Sequence, residues 1–372
     1  MSHFKILSLD GGGIRGAFSA EFLATVEDNV GSPLGQYFDL IVGTSTGGII
    51  AAALALGASA RDVSKMYQEH GPEIFSRQRL TKATLGRRWQ RSLAAVARWA
   101  FDRWLTPHGA DVHALLQPKY GAAPLETALR QVLGDQKIGD AQTRLVLPTV
   151  DLAAGRVVVF KTPHLPEAAT RDRHYSAVQA ALCTSAAPTY FPHATISPGS
   201  AFCDGGVWAN NPSVVAYAEA LKISDSCNRP GVDPTFAATE IFMLSVGTGE
   251  TRFSLAPSRS SAGIGWWAPK RIIDVTLFAQ AQGAHTTARY LLGADRLHRV
   301  DFLLPDSSWG LDSVNHLEKL ANFGQLAAHE RLSKLRPIFF TDVAPRFTPF
   351  PASGVPTSDS DSPSRSNLCE NR

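Results

Sequence analysis

The residue pattern with the most chemistry in it is Gly43-Thr44-Ser45-Thr46-Gly47, a serine with a glycine two positions to either side. An apolar stretch, Tyr37 to Val42, precedes it, and an Ala-, Ile- and Leu-rich stretch, Gly47 to Leu56, follows. A sharp strand-to-helix turn of this kind strains the serine backbone and lifts its hydroxyl clear of the sheet, as acyl-transfer chemistry requires. A serine hydroxyl attacks only when a base takes its proton. His193, His285, His316 and His329 follow it in the chain, but none lies in a glycine-rich loop that would hold an imidazole at a strand end. Asp204 does lie in such a loop, in Cys203-Asp204-Gly205-Gly206 ahead of Asn210-Asn211-Pro212. Gly205 and Gly206 permit close backbone approach around that acid.

Asp10-Gly11-Gly12-Gly13-Ile14-Arg15-Gly16 supports two chemistries. Gly11, Gly13 and Gly16 satisfy the Gly-x-Gly-x-x-Gly fingerprint, which would make the chain an NAD(P)- or flavin-dependent oxidoreductase. That fingerprint also needs an acid at the far end of the second strand. Asp39 stands at the near end, and the serine turn occupies the far end. The alternative is an oxyanion hole, in which the amides of Gly11, Gly12 and Gly13 hold a tetrahedral oxyanion at about 3–4 kcal/mol per donor. Arg15 then either adds positive charge or anchors the loop. A non-catalytic membrane- or nucleotide-binding module is a third class, marked by affinity without esterase activity.

The elements that must position these groups alternate. Phe4 to Leu9 reads as a buried strand, Gly16 to Asn29 as a helix, and the serine turn repeats that strand–helix step. Strands are expected at Arg144 to Val150, Arg156 to Lys161 and Ile241 to Val246. Helices are expected at Ser176 to Ser185, Arg271 to Leu292 and Asn315 to Lys334. This rhythm belongs to a mainly parallel sheet covered by helices. One domain is expected over residues 1–345, with the motif-bearing core at about 4–215 and a helical part at about 216–345. The Ser-, Pro- and Asp-rich stretch 346–372 offers nothing to bury and is expected to be disordered.

Composition narrows the setting. With 36 basic and 33 acidic side chains, the net charge of +3 gives no footprint for a nucleic-acid polymer. Cys183, Cys203, Cys227 and Cys369 show no paired spacing, so a reducing compartment is expected and a zinc site is not. No leader pattern and no apolar run of about 18–20 residues is visible, which gives the expectation of a cytoplasmic protein touching membranes peripherally. The segment from Arg77 to Arg103 carries eight basic residues against Asp102 alone. In helical projection Arg87 and Arg91 fall opposite an apolar arc containing Leu85, Trp89 and Leu93, with Arg88 nearby. That segment is either a solvated helix face, a lipid-facing element, or a phosphate clamp for a nucleotide.

Taken together, Asp10 to Gly16, Gly43 to Gly47 and Asp204 to Gly206 resemble the three motifs of the patatin-like phospholipases. The stretch Thr184-Ser185-Ala186-Ala187-Pro188, followed by Tyr190-Phe191-Pro192, adds to the likeness. The resemblance spans about residues 4–215 and implies a three-layer α/β/α fold. It implies Ser45 as nucleophile, Asp204 as general base, the Gly11, Gly12 and Gly13 amides as oxyanion donors, and no metal or cofactor. The substrate it implies is the acyl ester of a membrane phospholipid, reached at the inner membrane surface. In compactness the chain also resembles the bacterial patatin-like effectors of CBASS anti-phage defence, which a cyclic dinucleotide activates. Such an activator, and assembly into homo-oligomers, stay open on this reading.

Overall fold

The computed structural model describes residues 3–76, 118–168, 170–227, 240–250, 269–306 and 308–350. The basic segment with Arg87, Arg88 and Arg91, and the tail beyond residue 350, lie outside the described residues.

Strand β1 (Phe4–Leu9) is buried along its whole length and forms the centre of the sheet. It pairs in parallel with β2 (Leu40–Gly43) on one side and with β6 (Ile241–Val246) on the other. Strands β3 (Arg144–Asp151) and β7 (Leu297–Val300) extend the sheet in parallel, and β4 (Arg156–Lys161) closes one edge antiparallel to β3. A strand covered on both faces leaves no polar side for alternation, which is why β1 reads as a nearly continuous apolar run.

Helices α1 (Gly16–Val30), α2 (Thr46–Ala55), α3 (Ala60–Ile74), α4 (Ala123–Leu133), α5 (Ala177–Ser185) and α9 (Leu317–Phe339) bury their apolar sides in one cluster with Leu7, Leu9 and Ile41. Helices α7 (Ser213–Cys227) and α8 (Pro269–Leu292) contribute to the other, with Ile6, Val42 and Met243. The short α6 (Gly206–Ala209) packs between α8 and the end of β3. The result is the expected three-layer α/β/α fold with a mainly parallel sheet.

Several boundaries differ from the sequence reading. The second strand starts at Leu40 because Leu34–Tyr37 forms a 3-10 turn. Helix α9 runs past Lys334 and through Pro337, because its last turn still buries Leu335 and Phe339. Within residues 346–350, expected to be disordered, Phe347 is buried under the Arg144 guanidinium and the Phe350 amide donates to the Pro163 carbonyl.

One further strand, β5 (Phe202–Asp204), does most to build the site. It pairs antiparallel with the far half of β3, placing Asp204 opposite Thr149. The near half of β3 pairs with β2, placing Val42 opposite Val146. Ser45 and Thr149 therefore stand the same distance along their chains, so β5 takes over the edge of β3 where β2 turns away. That register brings Asp204 level with Ser45 although 159 positions separate them.

Candidate active site

Ser45 caps α2 with φ 55° and ψ −124°, in the left-handed region that a side chain disfavours. The turn holds because the flanking glycines let backbone meet backbone. A Cβ at Gly43 would strike the Gly47 carbonyl, and a Cβ at Gly47 would strike the carbonyls of Leu9 and Asp10. Holding a non-glycine residue there costs on the order of 1–3 kcal/mol. The Ser45 amide donates to Thr184 Oγ1 at 3.2 Å, and that hydroxyl donates to the Pro148 carbonyl at 2.6 Å. Thr184 thus ties the elbow to β3, a role that its likeness to a known motif did not disclose.

The Ser45 hydroxyl donates to Asp204 Oδ2 at 2.6 Å. The other carboxylate oxygen accepts the Gly206 amide at 2.6 Å, so both oxygens are engaged. Asp204 is 4% exposed, and burial pushes its carboxyl up to about 6, against the downward pull of the Ser45 and Gly206 hydrogen bonds. A carboxylate with that value still carries its charge at neutral pH while binding a proton far more readily than an exposed aspartate. Gly205, opposite the Pro148 carbonyl, has no room for a side chain.

The glycine loop reaches the same place from β1. The amides of Gly12 and Gly13 donate to no protein acceptor among the described residues, and both glycines line the cavity beside Ser45. Gly11 departs from expectation. Its amide donates to the Asn210 carbonyl at 2.9 Å and is not free for an oxyanion. Two of the three amides, those of Gly12 and Gly13, are therefore left unspent. Gly13 takes φ 58°, and a Cβ there would strike the Leu311 carbonyl, which accepts the Ile14 amide at 2.8 Å. Arg15 reaches the carbonyls of Gly12 and Gly249 at 3.4 Å each, which makes it an anchor of the loop.

Beneath the loop, Asp10 pairs with Arg299 at 2.6 Å, and Arg299 also meets Asp301 at 2.5 Å. Burial drives Asp10 up to about 6, against the charge and hydrogen bond of Arg299. Thr248 Oγ1 donates to the Gly11 carbonyl at 2.8 Å. Sequence reasoning missed Thr248, Arg299 and Leu311, since no local signal joins them to a loop more than 230 positions away.

An apolar cavity of about 250 Å³ opens on Ser45, walled by Ile49, Met66, Ile74, Phe75, Leu125 and Phe191. Tyr67, at its edge, hydrogen-bonds Thr46 and shapes the turn from the other side. Among the described residues no three His, Cys, Asp or Glu side chains stand together as a metal site. None of the described helices is long and apolar enough to cross a membrane.

A hydroxyl bonded to a buried carboxylate, two free amides and a greasy cavity suit the cleavage of an acyl ester with a long apolar tail. The comparisons agree. The family described as patatin-like phospholipase matches residues 7–217. A cGAMP-activated phospholipase of Vibrio cholerae is 33% identical over 369 residues, covering 92% of this chain and 96% of that protein. Proteins of the same name match from Escherichia coli, at 35% identity over 68% of this chain and 64% of that one, and from Pseudomonas aeruginosa, at 30% over 84% and 83%. The chain belongs to the patatin-like phospholipase family, and it is a lipid acyl hydrolase. The oxidoreductase reading of Gly11, Gly13 and Gly16 has no support: Asp39 is occupied at the near end of β2, where it accepts the Lys5 amide at 2.8 Å.

Proposed function

We propose that Ser45 and Asp204 are the catalytic pair of a phospholipase that acts on membrane phospholipids and is switched on by a cyclic dinucleotide. The observation that carries the chemistry is the 2.6 Å hydrogen bond from Ser45 Oγ to Asp204 Oδ2 at the mouth of the apolar cavity. Ser45 Oγ forms a bond to the ester carbonyl carbon while its proton passes to Asp204. The carbonyl oxygen becomes an oxyanion facing the Gly12 and Gly13 amides, each worth about 3–4 kcal/mol in such a site. Collapse breaks the ester C–O bond, and the departing alkoxide takes the proton from Asp204 to leave as the lysophospholipid. Water then attacks the acyl-serine, Asp204 accepts its proton, and fatty acid is released with that proton returned to Ser45.

Regulation by a cyclic dinucleotide is supported by the names of the three bacterial relatives, each a cGAMP-activated phospholipase. An acyl hydrolase that attacks the membranes of its own cell needs such a switch, which fits a part in anti-phage defence at the inner membrane surface. The test is fatty-acid release from phospholipid vesicles by the wild type, Ser45→Ala and Asp204→Ala, each with and without cGAMP. Release by the wild type only when cGAMP is present, and by neither variant, is the expected result. Release by Asp204→Ala at the wild-type rate would remove the dyad, and cGAMP-independent release would remove the switch.

A further inference from the structure

Four large apolar side chains, Leu152, Val157, Val207 and Ile272, are each 44–56% exposed. Val207 on α6 and Ile272 on α8 also line the acyl cavity, so they belong at once to its wall and to the outer surface. Leu152 and Val157 lie on the hairpin that joins β3 to β4. Val150 and Leu152 share a face by the alternation of a strand, and Val157 pairs opposite Val150. Trp208, next to Val207, donates its indole N–H to the Thr149 carbonyl at 3.1 Å, which brings α6 against that end of β3. The half-buried Trp208 and Val150 therefore connect the cavity rim to the hairpin. Single exposed apolar residues are ordinary on a protein surface, whereas a connected strip marks a docking face.

The hairpin does not stand alone. The Leu152 amide donates to the Ala201 carbonyl at 2.8 Å, so the turn ahead of β5 lies beside it. Residues 152–155 and 192–203 contain no Asp, Glu, Lys or Arg. Asp151, at the hairpin base, is engaged by the Ala153 and Ala154 amides at 3.1 and 3.0 Å. Both tips can thus leave water without stripping a charge of its hydration.

Their height fits the same purpose. Thr149 is level with Asp204, and Leu152 follows three residues later. At about 3.3 Å per residue, the tip reaches roughly 10 Å past the Ser45–Asp204 pair. Amphipathic elements seated in a lipid interface enter it by about 5–10 Å. A hairpin sunk to that depth brings the cavity rim to the lipid surface. An acyl tail that crossed a wet rim would expose its methylenes to water, a cost that a rim seated in lipid removes.

We propose that the 151–156 hairpin, with Val207 and Ile272, is the face that enters a phospholipid bilayer, so that an acyl tail passes from the bilayer into the cavity beside Ser45. This inference rests on the phospholipase reading above and assigns that reading its membrane-facing side.

The test is cosedimentation with vesicles of phosphatidylethanolamine and phosphatidylglycerol in about 0.5 M salt, where attraction between exposed charges is largely screened. Hydrolysis of those vesicles and of soluble p-nitrophenyl butyrate is measured alongside, with cGAMP present throughout. Leu152→Ser with Val157→Ser is expected to weaken vesicle binding about tenfold, or about 1.4 kcal/mol. Vesicle hydrolysis should fall with it, while hydrolysis of the soluble ester stays unchanged. Ala153→Trp, at the exposed tip, is expected to tighten binding, and it serves should the double variant fail to fold. A wild type that does not bind, or variants that bind as it does, overturns the proposal. An equal loss on vesicles and soluble ester would make the hairpin a support of the site and overturn it too. So would an oligomer that the double variant splits, since the strip would then be a protein interface. No hydrolysis of any substrate would instead sink the phospholipase reading, and vesicle binding, which needs no turnover, would still judge the docking face.

Discussion

Replacing Asp204 by Asn is expected to lower the rate and raise the stability at once, because in the proposed dyad the carboxylate would serve as base at the expense of the fold. Asn preserves the shape, and its carbonyl oxygen still accepts the Gly206 amide that Asp204 Oδ1 holds at 2.6 Å. Its NH2 then faces Ser45 in place of Oδ2, so the hydroxyl has no proton acceptor. Base catalysis contributes about 10²–10⁴. In the proposed mechanism Asp204 serves both acylation and deacylation, so a fall in kcat of about 10³-fold is expected, close to 4 kcal/mol at about 1.36 kcal/mol per tenfold. KM for a short-chain soluble ester should move little, since Asn keeps the shape that Asp204 gives the cavity lining.

Stability shifts the other way. Burial holds the Asp204 carboxyl at about 6 in the folded protein, above its ordinary 3.8. Between those values the folded state keeps a proton that the unfolded chain has released. Stability is therefore full below pH 3.8, falls as pH rises toward 6 and stays reduced above it. At about 1.36 kcal/mol per unit, the charged form costs on the order of 3 kcal/mol at pH 7.5. Asn removes that cost. The assays are release of p-nitrophenolate from its butyrate ester with cGAMP present and urea denaturation, both at pH 7.5. A variant within tenfold of the wild-type rate, or one less stable than the wild type, refutes the reasoning.

Three further outcomes follow from the same contacts. The acid limb of kcat/KM on a short-chain ester should fall tenfold per pH unit below about 6 and persist in Asp10→Asn, whose carboxyl lies in the same range; a limb near pH 4 would contradict the burial of Asp204. Thr184→Val leaves the Ser45 amide without its acceptor, and urea denaturation should show a loss of about 1–3 kcal/mol together with a reduced kcat. Lys161→Met takes from buried Glu219 the cation that, together with His164, holds its carboxyl down to about 2 against the upward push of burial. Its loss should cost about 3–5 kcal/mol near neutral pH while the kcat of the folded fraction stays unchanged. A stability within 1 kcal/mol of wild type would show the pair to be dispensable.

What was legible in the sequence was what local pattern decides. The elbow, its flanking strand and helix, and the acid before two glycines are each short-range signals, and the structure brings Ser45 and Asp204 within bonding distance as the motifs suggested. Strand β5 was illegible because three residues give no periodicity; its existence depends on the edge of the far half of β3 that β2 leaves open. Helix α3 carries a capping serine, with Ser59 Oγ accepting the Asp62 amide at 3.0 Å, and that signal was present to be read. The Gly11 error has a different origin. Consecutive glycines advertise free amides, but which amide is spent internally depends on the Asn210 carbonyl, nearly 200 positions on.

A loop of glycines cannot hold its own shape, since it has no side chains with which to do so. Its conformation has to be imposed by neighbours, and here they come almost entirely from beyond Asp204. Asn210 takes the Gly11 amide, Thr248 holds the Gly11 carbonyl, Arg299 fixes Asp10, and Leu311 takes the Ile14 amide. Three of those four lie past residue 217, where the match to the family ends. Ser45, Asp204 and the glycines are thus carried by the recognisable part of the chain, while the aim of the Gly12 and Gly13 amides is set by the less recognisable part.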